Sequence, residues 1–522
     1  MVRQRGTTVF ERQAPDPALV DRVLAGSRLQ CLWTEQAPGE RFAALQGDHD
    51  TDLVVVGGGY AGLWTALLAR RRDPGRRVVL LEARTVGWAA SGRNGGFVEA
   101  SLTHGEENGL SRWESDYPEL EALGLANLDG FERDLRELGI DAGFERTGAI
   151  AVAVEPYQAV ELAAQRDRLG ADYLDAGQVR ARVDSPIYLA GVLDREGSAL
   201  VHPARLAVGL ARACADAGVD ILEHTRVTGL ETPGDGRTAC RVVTDRGVVR
   251  ARQVALATNV FPALLARNRF MTVPVYDYVL ATEPLTAEQL GRIGWQGREG
   301  LADLANQFHY YRLTPDDRIV FGGYDAIYRA GGAVRAAYEE RPDTYRRLAG
   351  HLLTTFPQLQ DVRVSHRWAG AIDTCTRFCA FHGVARAGRV AYTAGYTGLG
   401  VGATRFGAEV MLDLLAGERT PRTENPLVRS RPLPFPRSPW RHWGSTRPAG
   451  RSTAPTTTRG GATCCCARWT TSGWASTPRL GCRSRPTEEA PCPTGCSPPT
   501  LSPTRLPSRT PPSWTSWTAT PA

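Results

Sequence analysis

Lysine is missing from all 522 residues, so the 62 basic side chains are Arg, and Met occurs only three times. Long apolar runs are missing as well. The longest uncharged stretch, Leu53 to Ala69, is interrupted by Gly57, Gly58, Gly59 and Gly62, and no basic-then-apolar leader opens the chain. Neither a membrane span nor secretion is therefore expected. Before the C-terminal region there are five cysteines, Cys31, Cys214, Cys240, Cys375 and Cys379, an odd and scattered set without a CxxC pair. That usage predicts a reducing, cytoplasmic setting. With 42% hydrophobic and 23% charged residues, the average is that of a soluble globular protein, long enough for two or three domains.

The formal charge of +6 suggests a nucleic-acid partner until it is divided along the chain. The last 86 residues carry 11 Arg against Glu488 and Glu489, a net +9, which leaves the first 436 at −3. A mildly acidic body with a basic appendage argues against a nucleic-acid-binding core. From Arg437 onward there is no Val, Ile, Phe, Tyr, Met or Asp, yet there are six Trp and six Cys. Such text cannot build a core. It reads better as coding sequence translated in a shifted frame: offset codons turn Cys and Trp into Leu or Val, and Thr into Asp, Asn or His. Reread this way, Ser452 to Pro478 acquires a charged face and a Leu-rich face. The alternative is a disordered interaction tail. The Cys464-Cys465-Cys466 run and Cys492/Cys496 lack zinc-type pairing, and no metal site is expected.

The body contains an ordered series of signals. Asp52 to Val56 reads as a buried parallel strand, followed by Gly57-Gly58-Gly59-Tyr60-Ala61-Gly62 and a helical run that ends in Arg70, Arg71 and Arg72. Gly57 permits the tight turn, Gly59 lets the backbone approach a pyrophosphate, and Gly62 lets helix and strand pack closely. A second strand, Val78 to Leu81, ends in Glu82, which lies 20 residues past Gly62 and is placed to accept hydrogen bonds from ribose hydroxyls. Together these predict a dinucleotide site that disfavours a 2′-phosphate. Helical text follows at Pro118 to Leu138 and Pro203 to Ala217, with strand text at Ala149 to Val154 and Val248 to Leu256. Phe308 to Phe321 reads as a hairpin around Pro315-Asp316-Asp317, the start of an antiparallel layer. Val390 to Thr393 leads into a second Gly-rich turn, Gly395 to Gly402, and a helix reaching about Ala416. The expected fold class is α/β: a Rossmann-like dinucleotide-binding domain (51–140, 197–270 and 365–436) with a discontinuous antiparallel-sheet substrate domain (141–196 and 271–364). Residues 1–50 are an N-terminal extension and 437–522 the tail.

In this order the pieces resemble the FAD-dependent amine and amino-acid oxidoreductases of the D-amino-acid-oxidase and glycine-oxidase superfamily over about Asp52 to Glu418. The gamma-glutamylputrescine-oxidase-like branch is nearest, through Val54 to Tyr60 and the segment Gly87-Trp88-Ala89-Ala90-Ser91-Gly92-Arg93-Asn94-Gly95-Gly96. The resemblance implies FAD, bound non-covalently, with Gly57, Gly59, Tyr60, Ala61, Gly62 and Glu82 as contacts. It also implies Ala90, Ser91, Gly92, Arg93 and Asn94 along pyrophosphate and flavin, Val227 at adenine and Thr258 at a returning strand end. Gly395, Gly398, Leu399, Gly400 and Val401 would form a loop whose N–H groups favour negative charge on the flavin pyrimidine.

The implied activity is oxidation of a C–N bond by hydride transfer to flavin, giving an imine that water hydrolyses, with a small amine as substrate and oxygen or another carrier as acceptor. Many relatives hold an amino-acid carboxylate with an Arg in a segment that aligns with Trp368 to Gly383, but here that position is Ile372 and the next is Asp373. An amine, polyamine-derived or secondary, is thus favoured over a plain α-amino acid. Asp373 is a candidate for holding the ammonium, with turn capping as its alternative role. Arg312 is a candidate to restore a carboxylate clamp. His309, Tyr311, Tyr310 and His202 are further pocket candidates. Relatives of the sarcosine-oxidase type use a Lys near the flavin to help reduce oxygen. This chain has none, so an Arg or a protonated His309 would have to substitute, or oxygen is not the acceptor. The alternatives are an amino-acid dehydrogenase passing electrons to a quinone or carrier, and a catalytically inert flavin-binding protein.

Overall fold

Buried strands with Gly-rich ends form two large sheets, with long apolar helices packed on them and a small two-stranded ribbon of Phe97–Glu99 and Ser198–Leu200, in the computed structural model, which describes residues 8–435 apart from 236 and 306. The expectations for the tail lie outside the described residues. The first sheet is parallel at its centre: Val219–Leu222, Val78–Leu81, His49–Val56, Val248–Leu256 and Val390–Ala394 lie side by side in that order. Leu53 to Val56 and Val78 to Leu81 are buried on both faces, which explains continuous apolar runs in place of alternation. Antiparallel Cys240–Thr244 and Val227–Glu231 extend one edge.

The helix Tyr60–Arg72 is buried from Tyr60 through Ala69. It packs against the helices Pro203–Asp216 and Gly400–Ala416 as well as the sheet, so an apolar stripe on one face alone would not suffice. Its three C-terminal arginines end in water and are all engaged. Arg70 donates to the carbonyls of Ala217 and Arg76, Arg71 pairs with Asp134 and Glu137, and Arg72 pairs with Glu409 and with Asp413 at 2.8 Å. Positive charge at this end also complements the helix dipole.

The second, ten-stranded sheet is mostly antiparallel. Its centre is Val364–Cys375, Thr272–Thr282, Ile319–Gly323 and His309–Leu313, in that order. Two features depart from the sequence reading. Val364–Cys375, expected with the dinucleotide sheet, pairs along its length with Thr272–Thr282. The N-terminal segment, which carried no motif, is built into this layer: Arg28–Leu29 pairs with Val364–Cys375, and the helix Pro17–Leu24 packs on Pro342–Thr355. The helix Leu32–Gln36 buries Trp33 completely.

Strand alternation gives the second sheet two distinct faces. Tyr276, Tyr278, Tyr311 and Phe321 point to a core closed by Pro342–Thr355. Val279, Ala281, Val320 and Trp368 point the other way, to Trp33 and Ala204, toward the dinucleotide sheet. The five described cysteines are unpaired and buried. Among the described residues, no helix is long and apolar enough to cross a membrane.

Candidate active site

The central strands of the first sheet all end at one edge, and the expected cofactor residues collect there. Gly57 has φ of 113°, and a Cβ on it would lie 2.4 Å from the carbonyl oxygen of Ala257. A Cβ on Gly62 would lie 1.8 Å from the Gly57 carbonyl, so the helix rests directly on the turn. Only glycine satisfies either position. Glu82 is buried and accepts from the Gly58 N–H (2.7 Å), the Arg84 N–H (2.8 Å) and the Trp88 indole (2.9 Å). Burial raises its pKa, and these donors oppose the shift. Thr225, two residues before Val227, donates its N–H to the Glu82 carbonyl, while Thr258 follows the Ala257 that abuts Gly57.

Ser91 Oγ accepts the Tyr60 N–H at 3.0 Å, joining the second Gly-rich segment to the first. The side chains of Arg93 and Asn94, expected as cofactor contacts, build the turn itself. Asn94 donates to the carbonyls of Ala90 and Ser91 and accepts the Gly96 N–H. Arg93 reaches the Trp88 carbonyl, Glu339 and the Ala369 carbonyl. Two indoles clamp the turn to the second sheet, Trp33 on the Asn94 carbonyl and Trp368 on that of Arg93, both at 2.9 Å.

The last expected loop follows Val390–Ala394. Gly395 donates to Asp373 Oδ2 at 2.6 Å and Tyr396 to Oδ1 at 3.2 Å, and the helix Gly400–Ala416 then begins at Leu399 without a side-chain cap. Gly59, at the start of the helix Tyr60–Arg72, likewise has no side chain to cap it, although Ser91 Oγ takes the Tyr60 N–H. Two such helix starts, a glycine cradle and a carboxylate at the neighbouring strand end are what an anionic dinucleotide requires. The residues present fit FAD.

The candidates on His309–Leu313 divide by face. His309 and Tyr311 point away from the Ser91 to Gly96 turn. His309 is fully buried, with Nδ1 2.6 Å from Asp303 and Nε2 2.8 Å from His351, under Phe10. Tyr311 shares a hydrogen bond with Tyr188 at 2.7 Å. Their assignment to the pocket is corrected: strand alternation turns Tyr310 and Arg312 to the turn instead. Arg312 is no carboxylate clamp either, because its guanidinium donates to the carbonyls of Val201 (2.7 Å), Gly96 (3.3 Å) and Leu313 (3.1 Å). His202 caps the helix Pro203–Asp216, accepting the Arg205 N–H. Asp373 caps a turn, the alternative role, and holds the loop from behind. Cys375 Sγ donates to the carbonyls of Cys379 (3.1 Å) and Gly395 (3.4 Å).

Sequence reasoning passed over Trp33 and Asp277. Asp277 faces the same side as Tyr310, whose hydroxyl donates to its Oδ2 at 2.5 Å. It is the only charged residue in the apolar strand Thr272–Thr282, and that isolation was the signal.

Comparison with known proteins agrees with this geometry. The sequence family described as FAD dependent oxidoreductase, DAO, matches residues 52–414. The chain is 33% identical over 390 residues to gamma-glutamylputrescine oxidoreductase of Escherichia coli (strain K12), covering 72% of this chain and 86% of that protein. It is 24% identical to the sarcosine oxidase beta subunit of Rhodobacter capsulatus, covering 65% and 77%. Glycine oxidase from Bacillus cereus ATCC 14579 superposes with a TM-score of 0.58 at 20% identity, over 73% of this chain and 100% of that structure. The glycine turns, Glu82, the two helix starts and the family match over most of the described body agree: the chain belongs to the DAO family of FAD-dependent oxidoreductases, and FAD is its cofactor.

Proposed function

We propose that the enzyme oxidises the C–N bond of an amine, polyamine-derived or secondary, to an imine that hydrolyses to a carbonyl compound. The observation that carries this reading is the commitment of the nearby arginines. Arg312 is held by backbone carbonyls and Arg93 by Glu339 and two more carbonyls, while the position where relatives grip a carboxylate is Ile372, paired with Val275. An α-carboxylate brought here meets apolar side chains and engaged cations, so an amine without that group is favoured. The similarity to gamma-glutamylputrescine oxidoreductase supports the same substrate class. FAD, when bound, supplies the hydride acceptor. The chain's contribution is to fix the cofactor with the glycine cradle and to present the amine from the Tyr310 face of the second sheet.

A second reading concerns the acceptor. The sequence holds no Lys to assist oxygen reduction, and the expected substitute His309 lies on the far face of the sheet. A quinone or protein carrier is therefore favoured over oxygen. Anaerobic mixing with amines and amino acids tests the first reading by bleaching of the flavin band. Faster bleaching by glycine or simple D-amino acids than by any amine overturns it. Reoxidation by air as fast as in lysine-bearing oxidases overturns the second.

A further inference from the structure

Asp277 lies opposite Gly370 of Val364–Cys375. The next residue on its face, Val279, lies opposite Gly322, which in turn lies opposite Tyr310. Gly370 thus flanks the carboxylate directly, and Gly322 lies diagonally across from it on the other side. A Cβ at Gly370 would meet only Arg93 Cβ, at 3.9 Å, so the space beside Asp277 is open. Tyr310 occupies a slot made by the other two glycines: a Cβ on Gly95 would lie 2.5 Å from its Cε2, and one on Gly322 2.5 Å from its Oη. Its ring therefore bridges the cofactor turn and the sheet, and its hydroxyl is aimed at Asp277. Both side chains keep partial exposure although Tyr276, Tyr278 and Val279 beside them are at most 1% exposed. The charged groups facing Asp277 from the elements around it are few. Arg93 on the turn is paired with Glu339, Arg312 two residues along from Tyr310 is held by carbonyls, and no described Arg or His forms an ion pair with the carboxylate.

We propose that Asp277, oriented by Tyr310, receives the substrate ammonium and removes its proton before oxidation. This rests on the amine reading above and names the group that enforces it. One ammonium N–H bond breaks, its proton passes to Asp277, and the bonding pair stays on nitrogen as a lone pair. That pair can then form the C=N bond as the adjacent carbon gives up its hydride, for which FAD, when bound, would be the acceptor, and Asp277 returns its proton to water. The same carboxylate repels an α-carboxylate, which gives selection against amino acids.

Only the charged carboxylate can act. Burial pushes its pKa up to about 6, while the Tyr310 hydroxyl and the N–H groups of Tyr278 and Gly323 hold it down. Flavin reduction should therefore rise with pH through that region.

The test uses the FAD-loaded enzyme in two arms. In stopped flow with the best amine of the panel, Asp277→Asn should lower the reduction rate about 100-fold and abolish the acid limb. Asp277→Glu should recover part of it. Tyr310→Phe removes a donor to the charged form and should move the limb upward by about one pH unit. The second arm reads binding of tert-butylammonium, which has no C–H on the carbon bearing nitrogen, by perturbation of the flavin spectrum. Binding about tenfold weaker in Asp277→Asn than in wild type is expected. Equal binding by both, or no binding by wild type, overturns the proposal, as does an acid limb retained in Asp277→Asn. If no amine bleaches the flavin, the substrate reading falls, and the binding arm still decides the role of Asp277. Should Asp277→Asn lose FAD, Asp277→Glu and Tyr310→Phe carry the same comparison.

Discussion

Replacing Asp373 by Asn should loosen the Gly395 to Gly402 loop, which is proposed to lie over the cofactor. The carboxylate is 2% exposed and accepts two backbone N–H groups, from Gly395 at 2.6 Å and Tyr396 at 3.2 Å. Asn presents one oxygen and one NH₂, so one of these donors must face another donor. A hydrogen bond to a charged acceptor contributes about 1.5–3 kcal/mol, and a buried N–H left unpaired costs about 1–3 kcal/mol. Since the two effects overlap, about 2–4 kcal/mol is the reasonable range. At about 1.4 kcal/mol per factor of ten, FAD affinity should fall by at most about 25- to 700-fold if the docked loop is required for binding. The assay is FAD titration of apoprotein at pH 8, with thermal melts of the FAD-saturated protein alongside.

The pH dependence has a defined sign. Burial raises the Asp373 pKa from 3.8 to about 7, so the folded protein holds this proton more tightly than the unfolded chain. That contribution is complete below about pH 4 and lost as the pH rises to about 7. The stability gap between wild type and Asp373→Asn should therefore be wider at pH 5 than at pH 8. An unchanged FAD affinity together with a pH-independent gap would refute the reasoning.

Gly62→Ala sets a Cβ 1.8 Å from the Gly57 carbonyl and should give protein that is insoluble or free of FAD; normal FAD content after purification counts against the helix resting on the turn. His309→Asn should lower the melting temperature, because buried Asp303 loses a partner at a cost of about 1–3 kcal/mol, yet leave the reduction rate of FAD-loaded protein within about twofold. A large loss of rate at unchanged melting would return His309 to the pocket. Cys375→Ser and Cys379→Ala should leave FAD content unchanged, and acid precipitation of wild type should release all its flavin; colour retained in the pellet would mean a covalent link at a thiol.

Local chemistry made much of the first sheet legible. A strand that ends in a Gly-rich turn and a helix that starts without a cap are decided within a dozen residues, so Val56 to Gly62 and Ala394 to Gly402 could be read directly. Facing could not. In His309-Tyr310-Tyr311-Arg312 the alternation says only that two residues go one way and two the other. The choice is made by distant partners: Gly95 and Gly322, which leave room for the Tyr310 ring, and the carbonyls of Gly96 and Val201, which take Arg312. The same non-locality hid the N-terminal segment. Trp33 has no pattern of its own, and its value lies in bonding the Asn94 carbonyl 61 residues away.

The missing lysine bears on pH as well as on oxygen. A guanidinium stays charged across the working range, and even buried Arg312, with its pKa pushed down to about 10, is a cation at neutral pH. The arginines around the cleft therefore supply fixed charge and no titration. Of the histidines considered for the pocket, His309 is on the far face, and His202, a helix cap, is pushed down to about 4 by burial and Arg205. Three carboxylates in this part of the protein are raised toward neutrality. Asp277 lies on the proposed substrate side at about 6, Asp373 holds the Gly395 to Gly402 loop at about 7, and Glu99, beneath the start of the helix Gly400–Ala416 and bonded to Ser198, is raised to about 8. Their positions separate their effects. A limb in the rate of flavin reduction that disappears in Asp277→Asn belongs to the amine, and one that appears in FAD affinity and disappears in Asp373→Asn belongs to the loop. Glu99 reaches the cofactor side only through the backbone, where its carbonyl abuts Gly402, so its titration should alter stability more than either measurement.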